Sequence, residues 1–412
     1  MTTATTVIIG GGHAGGEAAL ALRQGGYTGR IMLISAESSL PYQRPPLSKA
    51  YLTTEIEPDK LLIRAAANFA KAEVELVLGH SVSEIDRSAR SLRLDDGTEI
   101  HWSNLVLATG SRARHLALPD PLAVEPSNLF YLRSLEDAQR LKGALLPGGR
   151  LLVIGGGFIG LEVASAAIAL GLSVTVVEAQ HRLLARVTAP EVSAFYESLH
   201  RSRGVQVLTG ARIERFELND DGNQLSGVTL TDGQHLEADI VLAGIGAVPQ
   251  IELAEQAGLD LDDGVLVNEF CQTSDPTIYA IGDCSRHFNP VYGRRLRLES
   301  VPNAVDQART AAHSINGVAK AYEPVPWFWS DQYEVKLQMV GLSEGYDRVV
   351  LRGDPADGSF VAFYFTRGCL IAADCINRSS EFALAKRLVQ ARLAEDAAGV
   401  LADPTSSLKD LL

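Results

Sequence analysis

A chain of 412 residues with 37 Lys and Arg against 50 Asp and Glu, a formal charge of -13, is too long for one ordinary compact core and too acidic for nucleic acid to be a general partner. Hydrophobic content of 46%, charged content of 21% and 37 glycines fit an α/β protein of buried strands and tight turns and exclude a disordered one. No run of about 18 apolar residues occurs and MTTATTVIIGGG carries no basic leader, so the expectation is a cytoplasmic chain without membrane contact. Cys271, Cys284, Cys369 and Cys375 form no CxxC pair and the histidines are scattered, so no metal is expected.

The first expected element is a strand running into GxGxxG, VIIGGGHAGGEAALAL from Val7, with Gly10, Gly12 and Gly15 at the motif positions. One glycine turns the chain, one lets the backbone approach a pyrophosphate, and one lets helix pack on strand; the diphosphate then meets the helix N-terminus. IMLIS from Ile31 is the next strand, and Glu37 follows it about where a ribose hydroxyl acceptor is expected. PYQRPPLSK at 41–49 uses three prolines to stiffen a loop around Arg44 and Lys49. It is either a held pair of cations or a solvated surface loop. VELVLG (Val74 to Gly79), a hairpin SLRLDDGTEIHW (Ser91 to Trp102) with a DG turn, and LVLATG from Leu105 complete the series.

The same order then recurs. LLVIGGGFIGLEVASAA begins at Leu151 with Gly155, Gly157 and Gly160; VTVVE ends in Glu178; VQVLTG, GVTLTDGQHLEA and IVLAGIG from Ile240 follow in register, the last closing on Gly246, a cofactor-binding candidate. Two dinucleotide folds imply two dinucleotides. FAD with a nicotinamide nucleotide is the economical pair, because hydride can pass from nicotinamide C4 to flavin N5 if the rings stack.

At TIYAIGDC a strand delivers Asp283 to its C-terminal end, where a carboxylate suits the flavin ribityl hydroxyls, or else a turn. SVPNAVDQARTAAHSI opens a helix at Ser300 with an early proline, and its N-terminus suits the negative charge of a reduced flavin. From about residue 323 the repeat ends. FVAFYFTRG and CLIAADCIN read as antiparallel strands, with helices near 380–396 and at the chain end. The expected architecture is α/β: two Rossmann-like dinucleotide-binding domains, one discontinuous (1–115 and 245–322 for FAD, 116–244 for NAD), and a C-terminal α+β domain at 323–412.

ATG at Ala108, IYAIGD, ESVPNA and PYQRPPLSK, in this order around a second GGGFIGLE, resemble the FAD-dependent, NADH-linked ferredoxin reductases of the putidaredoxin reductase type, which serve cytochrome P450 systems and have relatives serving Rieske oxygenases. The resemblance covers essentially the whole chain. It implies that Lys49 reaches the isoalloxazine or its phosphate with Arg44 nearby, and that Ala14, Val82, Ala108, Arg133 and Val301 line the FAD. The family's ribose-binding acid falls at Ala36, so either Glu37 or the backbone at Ala36 makes that contact. In the second fold the resemblance assigns Glu162, with Ile159 beside it, to the nicotinamide. Glu178 accepts the ribose hydroxyls and repels a 2′-phosphate, favouring NADH over NADPH, with Arg182 and Arg186 softening that preference. Trp329 in PWFWSDQ would cover the ring, while Trp327 is as well explained by core packing. Lys49, Glu162 and Trp329 are thus the catalytic candidates.

No cysteine set for an iron-sulfur cluster is present, which implies a separate [2Fe-2S] ferredoxin as one-electron acceptor. Such ferredoxins are acidic and so is this chain, so docking needs a local basic patch. Arg64, Arg294, Arg295, Arg297 and Arg309 are the candidates, on a monomer or weak dimer. The alternatives are a related reductase with another acceptor (monodehydroascorbate, a quinone, rubredoxin) or a redox-gated binding protein resembling apoptosis-inducing factor. Disulfide reductases are disfavoured because no cysteine precedes Cys271.

Overall fold

The computed structural model describes residues 4–118 and 125–412. They fall into two compact units. The first takes the chain to Gln43, then Glu57–Arg112 and Val248–Pro326; the second takes Arg44–Ile56, Ala113–Ala247 and Trp327–Leu412.

In the first unit five strands pair in parallel in the order Ile278–Ala280, Asn104–Leu107, Thr5–Ile9, Arg30–Ser35, Val74–Leu78. Parallel strands need both faces covered, which is why they read as unbroken apolar runs and not as alternation. Their period of two still sorts the side chains. Ile8, Leu33 and Val106 face a core shared with the helices His13–Gln24 and Val301–Ile315. Val7, Ile9, Met32, Ile34, Leu105 and Leu107 face the opposite core, with Ile85 and Leu92 of the antiparallel sheet Val82–Asp86, Ser91–Leu94, Glu99–His101 and with Trp102 just after it. Truncating the fully buried Leu33 to alanine would cost about 2–5 kcal/mol. The strand Thr5–Ile9 is flanked by strands on both sides, so its C-terminal end opens at a switch in strand order, the place where such sheets bind ligands.

The second unit repeats the plan with parallel strands in the order Gln206–Thr209, Ser173–Glu178, Arg150–Ile154, Ile240–Ala243, Leu129–Phe130. Its C-terminal portion is an antiparallel sheet ordered Trp327–Gln332, Val335–Gly341, Cys369–Ile376, Phe360–Thr366, Arg348–Arg352. Phe360, Phe363, Tyr364 and Phe365 are all fully buried, so this sheet too is covered on both sides. The helix expected at 380–396 stops at Gln390, because Arg392 takes a left-handed φ of 49° and Leu393 N–H returns to the Leu388 carbonyl. Short turns carry the chain to its end, and the buried Arg352 guanidinium holds them through the carbonyl of Ser406 (2.7 Å) while meeting Glu381 at 3.1 Å. Among the described residues no helix is long and apolar enough to cross a membrane.

Candidate functional site

In the first unit, Gly10 has φ of 120°, and a Cβ there would lie 2.1 Å from the Ala108 carbonyl oxygen; one on Gly15 would lie 1.9 Å from that of Gly10. Strand, turn and helix therefore close on one another with no room for a side chain. A Cβ on Gly12 would meet nothing within 4 Å, so that glycine borders open space in front of the helix His13–Gln24. No side chain caps this helix, whereas Ser300 Oγ accepts from Asn303 N–H at the start of Val301–Ile315. The start of the helix His13–Gln24 thus has no capping side chain in the place where an anion such as a dinucleotide pyrophosphate would bind.

Asp283 is brought to the same place. It stands in the turn Gly282–Cys284, where a Cβ on Gly282 would sit 3.0 Å from the Ala14 Cβ, and its Oδ2 accepts from Ser111 Oγ at 2.8 Å. Gln307 Oε1 accepts from Gly282 N–H at 2.7 Å and ties this turn to the helix that starts at half-buried Val301. Glu37 accepts from Tyr42 O–H, while Ala36 is exposed just after the strand end at Ser35. Val82 is half-buried at the head of Val82–Asp86.

The second unit repeats the turn. Gly155 has φ of 105° and a Cβ there would lie 2.5 Å from the Gly244 carbonyl oxygen, while one on Gly160 would lie 2.3 Å from that of Gly155. Gly157, at the N-terminus of the uncapped helix Phe158–Ala169, is nearly open, its Cβ position 3.9 Å from Gly244 O, and Ile159 is 44% exposed in the first turn. Glu178 is fixed by two backbone donors: Oε2 accepts from Gly156 N–H at 2.7 Å and Oε1 from Gln180 N–H at 2.6 Å. Lone pairs remain on both oxygens for ribose hydroxyls. Arg182 is engaged with Ser193 Oγ (2.6 Å) and the Ala185 carbonyl (2.9 Å), whereas Arg186 is exposed and reaches within 3.8 Å of where a Gly246 Cβ would stand. Gly246, with φ of 110°, accepts from Arg114 N–H through its carbonyl.

From Arg44 onward the proline-rich segment belongs to this unit. Pro45–Ser48 forms a 3₁₀ turn, and Arg44 donates to the Arg133 carbonyl at 2.6 Å. Lys49 Nζ reaches Glu162 Oε2 at 2.7 Å and the Pro45 carbonyl at 3.2 Å. Ser48 Oγ donates to the same carboxylate oxygen, and Ser330 Oγ donates to Oε1 at 2.6 Å. Glu162 is only 4% exposed, so an unpaired charge there would be costly; a cation and two hydroxyls offset it. Of the catalytic candidates, Lys49 and Glu162 are therefore in contact. Trp329 is half-buried with its ring centroid 5.6 Å from that of Trp327, which packs in turn on Phe382. On the strand Trp327–Gln332, Phe328, Ser330 and Gln332 occupy one face, and Phe328 meets Phe158 at 4.8 Å; the tryptophans occupy the other.

Of the candidate docking arginines, Arg64 pairs with Glu17 at 3.2 Å and Arg309, 60% exposed, lies 3.7 Å from Asp306. Arg294 and Arg295 are exposed on the strand Arg294–Leu296. Arg297 is 13% exposed, 3.3 Å from Asp263 and paired with Glu299, so its charge is balanced within the fold.

Residues 4–308 match the pyridine nucleotide-disulphide oxidoreductase family, and residues 327–412 the reductase C-terminal family. The chain is 44% identical to putidaredoxin reductase of Pseudomonas putida over 98% of its own length and 96% of that protein's. It is 43% identical to the ferredoxin reductase subunit of a 5,5′-dehydrodivanillate O-demethylase from a Sphingobium species, covering 98% and 97%. It superposes on the reductase of a covalent putidaredoxin reductase–putidaredoxin complex with a TM-score of 0.96, 44% identity and coverage of 100% and 98%.

Proposed function

Since this chain belongs to the pyridine nucleotide-disulphide oxidoreductase family, we propose that it is the NADH:ferredoxin reductase of a cytochrome P450 or Rieske-type oxygenase system. The observation that carries the reading is likeness over the whole length, C-terminal portion included, to reductases whose names specify a ferredoxin. The enzyme is an oxidoreductase that uses FAD and NAD(H). When bound, these two groups would provide hydride transfer from nicotinamide to flavin and single-electron release.

The chain's own residues suit that task. Gly10, Gly12, Ala14 and Gly15 open a backbone cradle for the FAD pyrophosphate, with Ala108 behind it, Asp283 for the ribityl hydroxyls and the helix starting at Val301 for the ring. Arg44, Arg133, Val82 and either Glu37 or the Ala36 backbone complete that set. Gly155, Gly157, Ile159, Gly160, Glu178 and Gly246 bind NADH, Glu162 orients its nicotinamide, Lys49 stabilises charge on the reduced ring and Trp329 covers it. In this reading 1–115 with 245–322 bind FAD, 116–244 bind NAD and 323–412 serve the interface of a cytoplasmic monomer or weak dimer. The partner is a [2Fe-2S] ferredoxin met by Arg64, Arg294, Arg295 and Arg309; Arg297, already balanced, acts as a structural member of that patch.

Anaerobic addition of NADH to the purified yellow protein should bleach the absorbance near 450 nm, and a panel of [2Fe-2S] ferredoxins should then pass electrons to cytochrome c. Bleaching without transfer to any ferredoxin overturns the partner; no bleaching overturns the enzyme.

A further inference from the structure

Glu162 is the end point of a longer buried polar chain in the second unit. Ser330 Oγ lies 2.6 Å from Glu162 Oε1, Gln332 Nε2 lies 3.2 Å from Ser330 Oγ, Gln332 Oε1 lies 2.9 Å from His200 Nε2, and His200 Nδ1 lies 3.1 Å from Tyr333 O–H. Ser330, Gln332 and His200 are completely buried. His200 comes from the helix Pro190–Ser202, Glu162 from Phe158–Ala169 and the others from the strand Trp327–Gln332 and the turn after it, so the bonds link three separate stretches of chain, with Ser330 alone of these touching the carboxylate.

The direction of every bond follows from the first. A Glu162 carboxylate facing Lys49 only accepts, so Ser330 must donate to it. The Ser330 hydroxyl, its proton spent, accepts from the Gln332 amide N–H. The Gln332 carbonyl oxygen then faces His200, which must carry its proton on Nε2, leaving Nδ1 to accept from Tyr333. Burial lowers the His200 pKa, which keeps the ring in this neutral form. Lys49 and Ser48 occupy Oε2 and Ser330 occupies Oε1, so of roughly four acceptor positions on the carboxylate one is left.

We propose that Ser330, Gln332 and His200 are positioning residues that lock the Glu162 carboxylate by a one-way hydrogen-bond chain, so that its single remaining lone pair is presented to the nicotinamide amide. This rests on the reading that Glu162 orients the nicotinamide. Side chains of a merely structural chain would affect folding; these set how much the nicotinamide half adds to binding.

The test compares the flavin-loaded wild type with Ser330→Ala, Gln332→Leu, His200→Phe, His200→Gln and Glu162→Gln, measuring dissociation constants for NAD+ and for ADP-ribose by calorimetric titration, together with the thermal midpoint. The wild type should prefer NAD+. Ser330→Ala, Gln332→Leu and His200→Phe should lower that preference about tenfold while leaving ADP-ribose affinity within about threefold, since Glu178 and the glycine turn are untouched. His200→Gln places an amide N–H where Nε2–H stands and should restore most of the preference. In single turnovers the flavin bleaching rate at saturating NADH should fall in the same order. Ser330→Ala removes only a hydroxyl and is the variant that decides if the larger changes unfold. If Glu162→Gln keeps the full preference for NAD+, the role of Glu162 is wrong; if it loses the preference while the other three keep it, whatever their melting points, the positioning chain is overturned.

Discussion

Lys49 Nζ lies 2.7 Å from Glu162 Oε2, with 18% and 4% of the two side chains exposed. A pair this enclosed is worth little relative to an apolar substitute, but removing one member leaves the other charge stranded. Lys49→Met should destabilise the protein by about 3 kcal/mol, and the double variant Lys49→Met, Glu162→Gln should recover a large part of it. Urea unfolding of the four proteins of that cycle measures the coupling directly.

The two outer glycines of the first turn should part company from the middle one. Gly10→Ala pushes a methyl to 2.1 Å from a backbone carbonyl at a φ of 120°, and a loss of about 3 kcal/mol or more is expected. Gly12→Ala meets no atom within 4 Å, so its unfolding free energy without flavin should stay within about 0.5–1 kcal/mol of wild type. The flavin should nevertheless dissociate at least tenfold more readily, read as the fall of the 450 nm to 280 nm absorbance ratio on dialysis.

Glu178 is the residue on which coenzyme choice should turn. Its carboxylate is already fixed by Gly156 and Gln180 N–H groups. Glu178→Ala removes both the ribose acceptor and the charge that opposes a 2′-phosphate, and leaves the exposed Arg186 in place. The ratio of kcat/KM for NADH to that for NADPH should drop about 10–100-fold. Steady-state assays with both coenzymes check it.

Asp374 predicts a pH effect on stability. It is fully buried, and although Thr188 and Tyr364 donate to it, the loss of water dominates and its pKa is pushed up to about 6. The folded protein therefore holds a proton that the unfolded chain releases near 3.8. This contribution is fully present below pH 3.8 and is lost as pH rises through about 6, amounting to about 3 kcal/mol by pH 8. Asp374→Asn should flatten that part of the profile, measured as unfolding free energy across the interval from about pH 3.5 to about pH 7, which brackets both pKa values.

Arg309 and Arg297 should behave differently on charge removal. Arg309→Glu alters an exposed charge and should raise the KM for ferredoxin about tenfold at low ionic strength, with the gap closing as salt is added. Arg297→Gln leaves Asp263 and Glu299 without their shared cation and should lower the melting temperature with little change in ferredoxin kinetics. Stopped-flow reduction of ferredoxin at two salt concentrations separates the two.

Much of this was legible in the chain. Both glycine turns announced themselves because their chemistry is local: residues a few positions apart must turn, approach and pack. The position of Glu178 at the end of the strand that follows its turn was legible for the same reason. The pairing of Lys49 with Glu162 could not, since no spacing rule joins a proline-rich loop to a helix in another fold. Ser330 and Gln332 lay half in view: the alternation in WFWSDQ puts them on the face opposite both tryptophans, but nothing there says which helix they would meet. His200 carried no signal at all, because its role depends wholly on what packs over it. The break after Gln390 was hidden likewise, a left-handed arginine standing where glycine would have marked the helix end.

The strict two-residue beat of Trp327–Gln332 has an evolutionary corollary. Point changes along it are felt one at a time, but an insertion or deletion of a single codon just upstream would rotate the whole row by half a turn, presenting indoles to the helix carboxylate and a serine to the aromatic side. Descendants of this gene are thus free to vary in spelling here far sooner than in length.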